Sequence, residues 1–240
     1  METVLFYLCF FIYIGNTIFK KYELEKLKKH GSEEEVQECI KKAVKGWTKY
    51  VLNKVHAKIE VIGRENLPEE NCLYVSNHQG NFDIPIFLEI LDEPVGFIAK
   101  KEILKFKTFS YWMTQIDCIF MDRDNIRESM KSINKGVELL KNGRSMVIFP
   151  EGTRSKGKSV GDFKKGSMKL ALKSGVPIVP VTIDGSYKLL EKNKDYNKND
   201  RIVRFIIDKP IYPAELSKEE QVNLAENIKK IISDNINNID

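Results

Sequence analysis

Short apolar runs alternate with helically spaced apolar positions along most of this chain, a pattern that predicts an α/β sheet with crossover connections. From about Ala57 the runs predict strands at Lys58–Ile62, Cys72–Ser76, Val95–Ala99, Cys118–Met121, Met146–Phe149, Ile178–Ile183 and Ile202–Ile207. Between them Ile126, Met130, Ile133, Val137 and Leu140 recur at helical spacing, with a stop at Gly143. Met168 to Lys173 predicts a shorter helix stopped by Gly175 and Pro177, with Gly166-Ser167 read as its N-cap. Tyr187 to Asp200 is rich in Lys and Asn and reads as a surface loop. Ser217 with Glu220 forms a capping-box pattern and opens a final helix carrying Val222, Leu224, Ile228, Ile231 and Ile232. No internal repeat and no linker interrupts the chain after residue 57, so 57–240 reads as one α/β domain behind a helical element at 1–56.

That helical element has two parts. Val4 to Phe19, VLFYLCFFIYIGNTIF, is almost wholly apolar, and Gly15, Asn16 and Thr17 interrupt its end before Lys20 and Lys21. As a helix it would be ~24 Å long, short of a hydrocarbon core of ~30 Å. Glu2 stands where a secretory signal would carry positive charge, and no small-residue cleavage site follows. A shallow or re-entrant anchor, a tilted single span and a buried first helix all fit this run. Ser32 with Glu35 then caps a second helix to about Val55, where Val36, Ile40, Val44, Trp47, Val51 and Val55 form one apolar stripe. Lys41, Lys42, Lys45, Lys49 and Lys54 populate its other faces. The stripe fits packing against the α/β domain, or a helix lying at a bilayer surface with Trp47 near the headgroups and lysines on anionic lipid.

Charge changes this picture little. The 39 basic against 34 acidic residues give a net charge of +5, which permits an anionic surface or a phosphate-bearing substrate and demands neither. There is no dense basic stripe and no nucleic-acid module, so no nucleic-acid partner is expected. Cys9, Cys39, Cys72 and Cys118 lie far apart without clustered histidines, which argues against zinc or a disulfide framework and for reduced cytosolic thiols.

Candidate chemistry gathers where strands end. Tyr74-Val-Ser-Asn-His-Gln-Gly-Asn-Phe-Asp-Ile-Pro85 places His78 and Asp83 just after the apolar run Leu73–Val75. Strand ends are where α/β sheets hold ligands. Asp83 can take a hydrogen bond from one ring nitrogen of His78, leaving the other to accept a proton from a hydroxyl. His30 and His56 have no such context and read as surface or packing residues. No serine sits in a GxSxG elbow, so the base is expected to activate an external alcohol. No second histidine or paired carboxylate recurs at ligand spacing, so no metal is expected. Lys100, Arg123 and Arg154 follow other strands and suit a phosphate monoester. In Phe149-Pro-Glu-Gly-Thr-Arg-Ser155, Gly152 would let backbone N–H groups approach an anion, and Glu151 reads as orienting the two arginines or a substrate hydroxyl, not as the proton acceptor.

These segments resemble the glycerolipid acyltransferase family, in particular its bacterial 1-acyl-glycerol-3-phosphate acyltransferases. His78-Gln-Gly-Asn-Phe-Asp83 resembles the HxxxxD block, and Ile119-Phe-Met-Asp-Arg123 the second block, whose arginine contacts substrate phosphate. Phe149–Ser155 resembles the third and Val176-Pro-Ile-Val-Pro-Val181 the fourth, in the family's order. Asp117 departs from the pattern where the second block usually has Gly, and Lys107 and Ser110 stand in place of Pro and Gly. The resemblance implies a twisted, largely parallel sheet flanked by helices, with an N-terminal two-helix membrane-associating element embedded in one leaflet. It also implies a monotopic or peripheral protein at the cytoplasmic face of the cell membrane.

The expected reaction is acyl transfer from a thioester to the sn-2 hydroxyl of 1-acyl-glycerol-3-phosphate (lysophosphatidic acid), giving phosphatidic acid. His78 would be the general base, Asp83 its orienting carboxylate, and Lys100, Arg123 and Arg154 the phosphate clamp, with Glu151, Gly152 and Thr153 also at the substrate. Acyl-CoA or an acyl carrier protein thioester serves as donor, and no other cofactor is expected. Rival readings are a different acceptor (glycerol-3-phosphate or another lysolipid), a non-catalytic protein that binds anionic membrane lipids, and a soluble hydrolase.

Overall fold

Among the described residues seven strands form one sheet: β1 (Lys58–Ile62), β2 (Leu73–Ser76), β3 (Gly96–Lys100), β4 (Ile119–Met121), β5 (Met146–Ile148), β6 (Ile178–Asp184) and β7 (Ile202–Ile207). The computed structural model describes residues 2–189 and 201–238, with backbone alone at 2–12, 14 and 16. Strand order is β1-β7-β6-β2-β5-β3-β4, and every neighbouring pair is parallel except β6 with β7. The central strands β2, β5 and β6 are buried along their whole length, which is why they read as unbroken apolar runs. β7 alternates buried and half-buried positions toward the edge.

Helices cover both faces. On one side lie α1 (Glu2–His30), α2 (Glu33–Lys54), α3 (Asp83–Ile90) and α4 (Lys107–Gln115), whose buried residues include Leu24, Ile40, Phe87 and Met113. On the other lie α5 (Ile126–Lys141), α6 (Lys169–Ser174) and α7 (Lys218–Asn237), contributing Val137, Leu170 and Ile228. Capping boxes open α2 and α7 at Ser32/Glu35 and Ser217/Glu220, as their sequence pattern predicts. The chain leaving β2 enters α3 on the first face, and the chain leaving β5 reaches α6 on the second. Since β2 and β5 are neighbours, a crevice opens at their carboxyl ends.

Several expectations need correction. The helix begun by the apolar N-terminal run does not end at Gly15–Thr17 but continues to His30, giving α1 a length of about 43 Å at 1.5 Å per residue. Its second half is tied down by tertiary contacts: Leu24 is fully buried, Trp112 Nε1 donates to Thr17 Oγ1 at 3.0 Å, and Tyr111 bonds Glu25. Among the described residues no helix is long and apolar enough to cross a membrane. On α2 the stripe of Val36, Ile40, Val44, Val51 and Val55 faces the core. Trp47 also turns inward, edge-on to Phe109 at 6.0 Å, which removes it from any position among headgroups. Lys42, Lys49 and Lys54 remain outward, whereas Lys45 donates to the carbonyls of Glu89 and Leu91 at 2.7 Å each.

The expected elements include neither α3 nor α4, the first being short and mostly apolar and the second spanning only 9 residues. Ser167 does not cap α6: it lies in a 3-10 turn, Lys165–Met168, and Met168 takes the cap position without a side-chain bond. Tyr187 and Leu189 are buried in and after a 3-10 turn at Ser186–Lys188, so the expected surface loop does not begin there, and its 190–200 portion lies outside the described residues. Asp117 adopts φ of +58°, the left-handed conformation a glycine would take without strain, and Arg144 Nε holds its carboxylate at 3.1 Å.

Candidate active site

The loop leaving β2 is stitched to its surroundings at almost every residue. Asn77 exchanges hydrogen bonds with the backbone of Ile183, donating to its carbonyl at 2.8 Å and accepting from its N–H at 2.9 Å. Gly185 N–H donates to Gln79 Oε1 at 2.9 Å. From the loop after β5, Ser155 N–H donates to the His78 carbonyl at 2.8 Å and Lys156 N–H to that of Gln79 at 3.1 Å. Two loops remote in sequence are thereby held as one backbone unit.

Within it His78 Nδ1 lies 2.6 Å from Asp83 Oδ2. Asp83 is the first residue of α3 and fully buried. Its Oδ2 also accepts from Gln79 N–H at 2.7 Å and Gly80 N–H at 3.0 Å, and its Oδ1 accepts from Ser186 Oγ. A carboxylate surrounded by donors is an acceptor, so the proton of the His78–Asp83 bond sits on Nδ1 and the lone pair on Nε2. The imidazole stacks on Phe149 at 4.2 Å, which fixes its plane while 18% of the side chain stays exposed. The arrangement can hold a base in one tautomer and present it to a substrate hydroxyl.

Glu151 supports this pair from beneath. Its Oε1 accepts from His78 N–H at 2.7 Å and its Oε2 from Gly161 N–H at 2.9 Å, so it braces two loops and contacts neither Arg123 nor Arg154. Burial raises its pKa, with the two backbone donors offsetting part of that rise. Gly152, next in the chain, has φ of +71°. Arg123 reaches over from the end of β4 and donates to the Gly152 carbonyl, and Arg154 donates to Asn81 Oδ1. Partial burial lowers the Arg123 pKa, an effect Glu102 opposes through its charge. A guanidinium still carries its charge at any physiological pH.

The structure therefore brings His78, Asp83, Glu151, Gly152, Arg123 and Arg154 together. Thr153 is exposed on the same turn. Lys100 ends β3 opposite Met121, close in register to Arg123, exposed and without a hydrogen bond to the cluster among the described residues. Its neighbour Lys101 pairs with Asp122 at 2.6 Å. Two residues of the site gave no signal in the sequence. Ser186 comes from beyond β6 to meet Asp83, and Lys164 stands over Gly152, where a Cβ in place of the glycine hydrogen would lie 3.0 Å from its Nζ. No group of His, Cys, Asp and Glu suited to a metal occurs among the described residues.

Known proteins share this arrangement of segments. Residues 58–184 match the Acyltransferase family model. A probable 1-acyl-sn-glycerol-3-phosphate acyltransferase of Mycoplasma pneumoniae is 34% identical over 73% of the chain and 70% of that protein. The 1-acyl-sn-glycerol-3-phosphate acyltransferase of Borreliella burgdorferi is also 34% identical, over 75% of the chain and 70% of its own length. The crystal structure of the 1-acyl-sn-glycerophosphate acyltransferase PlsC from Thermotoga maritima superposes with a TM-score of 0.83 at 27% identity, covering 99% of this chain and 94% of that one.

Proposed function

Since this chain belongs to the Acyltransferase family, we propose that it acylates the sn-2 hydroxyl of 1-acyl-glycerol-3-phosphate, giving phosphatidic acid for phospholipid synthesis. The observation that carries this reading is the oriented His78–Asp83 pair beside the Arg123–Gly152–Arg154 cluster. His78 Nε2 takes the proton of the acceptor hydroxyl as its oxygen attacks the thioester carbonyl. The C–S bond breaks, and the imidazolium returns the proton to the departing thiolate. Asp83 stabilises the imidazolium, and Arg123 and Arg154 fix the acceptor by its phosphate, which sets where the hydroxyl lies. The thioester of coenzyme A or acyl carrier protein brings the activated acyl group, so it is a co-substrate and the step needs no other cofactor.

An apolar cavity beside the site suits the first carbons of an acyl chain. A cavity lined by Trp47, Leu88, Phe97, Phe109, Met113 and Cys118 lies among α2, α3, α4 and the sheet. Phe97 packs on Phe149 at 6.3 Å, and Phe149 stacks on His78, so this cavity begins two aromatic rings from the base. Thr17 and Trp112 line it too, which connects it to α1. Exposed Ile18, Phe19 and Tyr22 give α1 an apolar outward face, suited to one leaflet at the cytoplasmic surface, where acceptor and product reside.

The test offers purified, detergent-solubilised protein a labelled acyl thioester of each carrier, with 1-acyl-glycerol-3-phosphate, glycerol-3-phosphate or another lysolipid as acceptor. Phosphatidic acid formed from the first acceptor at the highest kcat/KM is the expected result. A higher kcat/KM with a different acceptor would replace the acceptor assignment, and no product with any of them would overturn the reading.

A further inference from the structure

Lys164 and Arg123 converge on Gly152, and among the described residues neither forms an ion pair. A Cβ built on that glycine would come within 3.0 Å of Lys164 Nζ and 3.6 Å of Arg123 Nη1, and these cationic side chains are its nearest neighbours. Both nitrogens thus stand over the Gly152 Cα, Arg123 already donating to the Gly152 carbonyl, and a side chain at this position would press on the Lys164 amino group. Neither cation has a carboxylate within ion-pair distance among the described residues, whereas Lys101 beside them is already matched to Asp122. Two like charges held this close repel, and an anion between them converts the repulsion into two charge-assisted bonds.

The backbone of Lys164 is fixed beside the site. Phe163 before it is buried at 4% exposure, the Lys164 N–H donates to the Pro150 carbonyl at 3.2 Å, and the 3-10 turn Lys165–Met168 follows. The root of its side chain is therefore anchored to the loop that carries Glu151 and Gly152, and its exposed amino group stands over Gly152.

We propose that Lys164, facing Arg123 across Gly152, is a specificity-determining residue that binds a phosphate monoester of the acceptor. This rests on the acyl-transfer reading above. The left-handed turn at Gly152 and its lack of a side chain let both cations approach one stretch of backbone, where a phosphate oxygen can bridge them. A second source of the same chemistry is coenzyme A, whose phosphates would be held there if the donor, not the acceptor, used this point.

Steady-state kinetics on Lys164→Gln, Lys164→Arg and Lys165→Gln separate these cases, with acceptor and donor varied in turn. The expected result for Lys164→Gln is a KM for 1-acyl-glycerol-3-phosphate raised roughly 10-fold or more, the size of losing a hydrogen bond to a charged group, with kcat nearly unchanged. Its donor KM stays at the wild-type value, and its preference for the phosphorylated acceptor over monoacylglycerol falls by the same factor. Lys164→Arg restores most of the affinity, and Lys165→Gln, which removes an equal charge from the next residue, matches wild type. An unchanged acceptor KM in Lys164→Gln overturns the proposal, and a raised donor KM overturns its assignment to the acceptor. Titration of wild type and Lys164→Gln with glycerol-3-phosphate by calorimetry adds a readout free of turnover. Should wild type transfer no acyl group, the acyl-transfer reading fails. Phosphate binding lost in Lys164→Gln would then still support the anion site, and equal binding in both would sink it.

Discussion

The two sides of the site are built on opposite plans. Around Asp83 every polar contact is made within the protein: three donors meet Oδ2, Ser186 meets Oδ1, and the carboxylate is sealed from water. Around Gly152 the cations Arg123 and Lys164 converge, neither in an ion pair among the described residues, and both are exposed. The first side is finished before substrate arrives, as a group that must hold one tautomer through a proton transfer should be. The second is left incomplete so that a ligand completes it. Changes on the first side should therefore appear in kcat, and changes on the second in KM.

The strongest way to break this division is His78→Ala, which should lower kcat by roughly 10²–10⁴-fold, the usual worth of a general base, with acceptor KM little changed. A variant losing activity through KM alone would place His78 on the binding side. Next comes Arg123→Ala on the open side. It should raise the acceptor KM roughly 10-fold to 100-fold at nearly constant kcat, and a fall in kcat with unaltered KM would erase the distinction.

Ser186→Ala sharpens the first side. Losing one hydrogen bond should cost kcat about fivefold, equivalent to about 1 kcal/mol. Because Ser186 bonds the buried Asp83 carboxylate, the acceptor KM should stay at the wild-type value. A loss carried by a raised KM at constant kcat would mean that Ser186 does not act through Asp83.

The smallest effect concerns Glu151. Burial raises its pKa above the unfolded value, so its contribution to stability is complete below that value and is lost as pH rises through the folded pKa. In Glu151→Gln the amide places a donor against the His78 or Gly161 N–H and titrates nothing. The variant should melt lower than wild type by an amount equivalent to about 1 kcal/mol, and the deficit should shrink as pH rises from about 4 toward neutrality. A deficit that grows with pH would mean that the ionised form is the one the fold prefers.

Local pattern made much of this molecule legible. Strands β1 and β7 carry their expected bounds, β2, β4, β5 and β6 differ by one residue at one end and β3 by one at each end, and α2, α5 and α7 announce themselves by apolar spacing and caps. What stayed hidden had no local signal. Helix α3 is buried nearly all round and so shows no amphipathic period, and the second half of α1 is polar in sequence yet fixed by α4. His78, Asp83, Arg123 and Arg154 were visible because each lies in a short dense motif at a strand exit. Ser186 and Lys164 were not, since their meaning comes from residues 103 positions away at Asp83 and from a glycine with nothing on its Cα. Glu151 was visible as a site residue, but its backbone partners at His78 and Gly161 show a brace for the loops, not a guide for the arginines.

The most direct test of the central claim, that His78 and Asp83 act as one proton-accepting unit, is a double-mutant cycle of kcat at saturating donor and acceptor. His78→Ala, Asp83→Asn and the combined variant would be compared after each is shown to be folded. The double variant should lose no more than His78→Ala alone, because Asp83 acts only through the imidazole it holds. Losses that multiply, or a His78→Ala variant that keeps wild-type turnover, would contradict it.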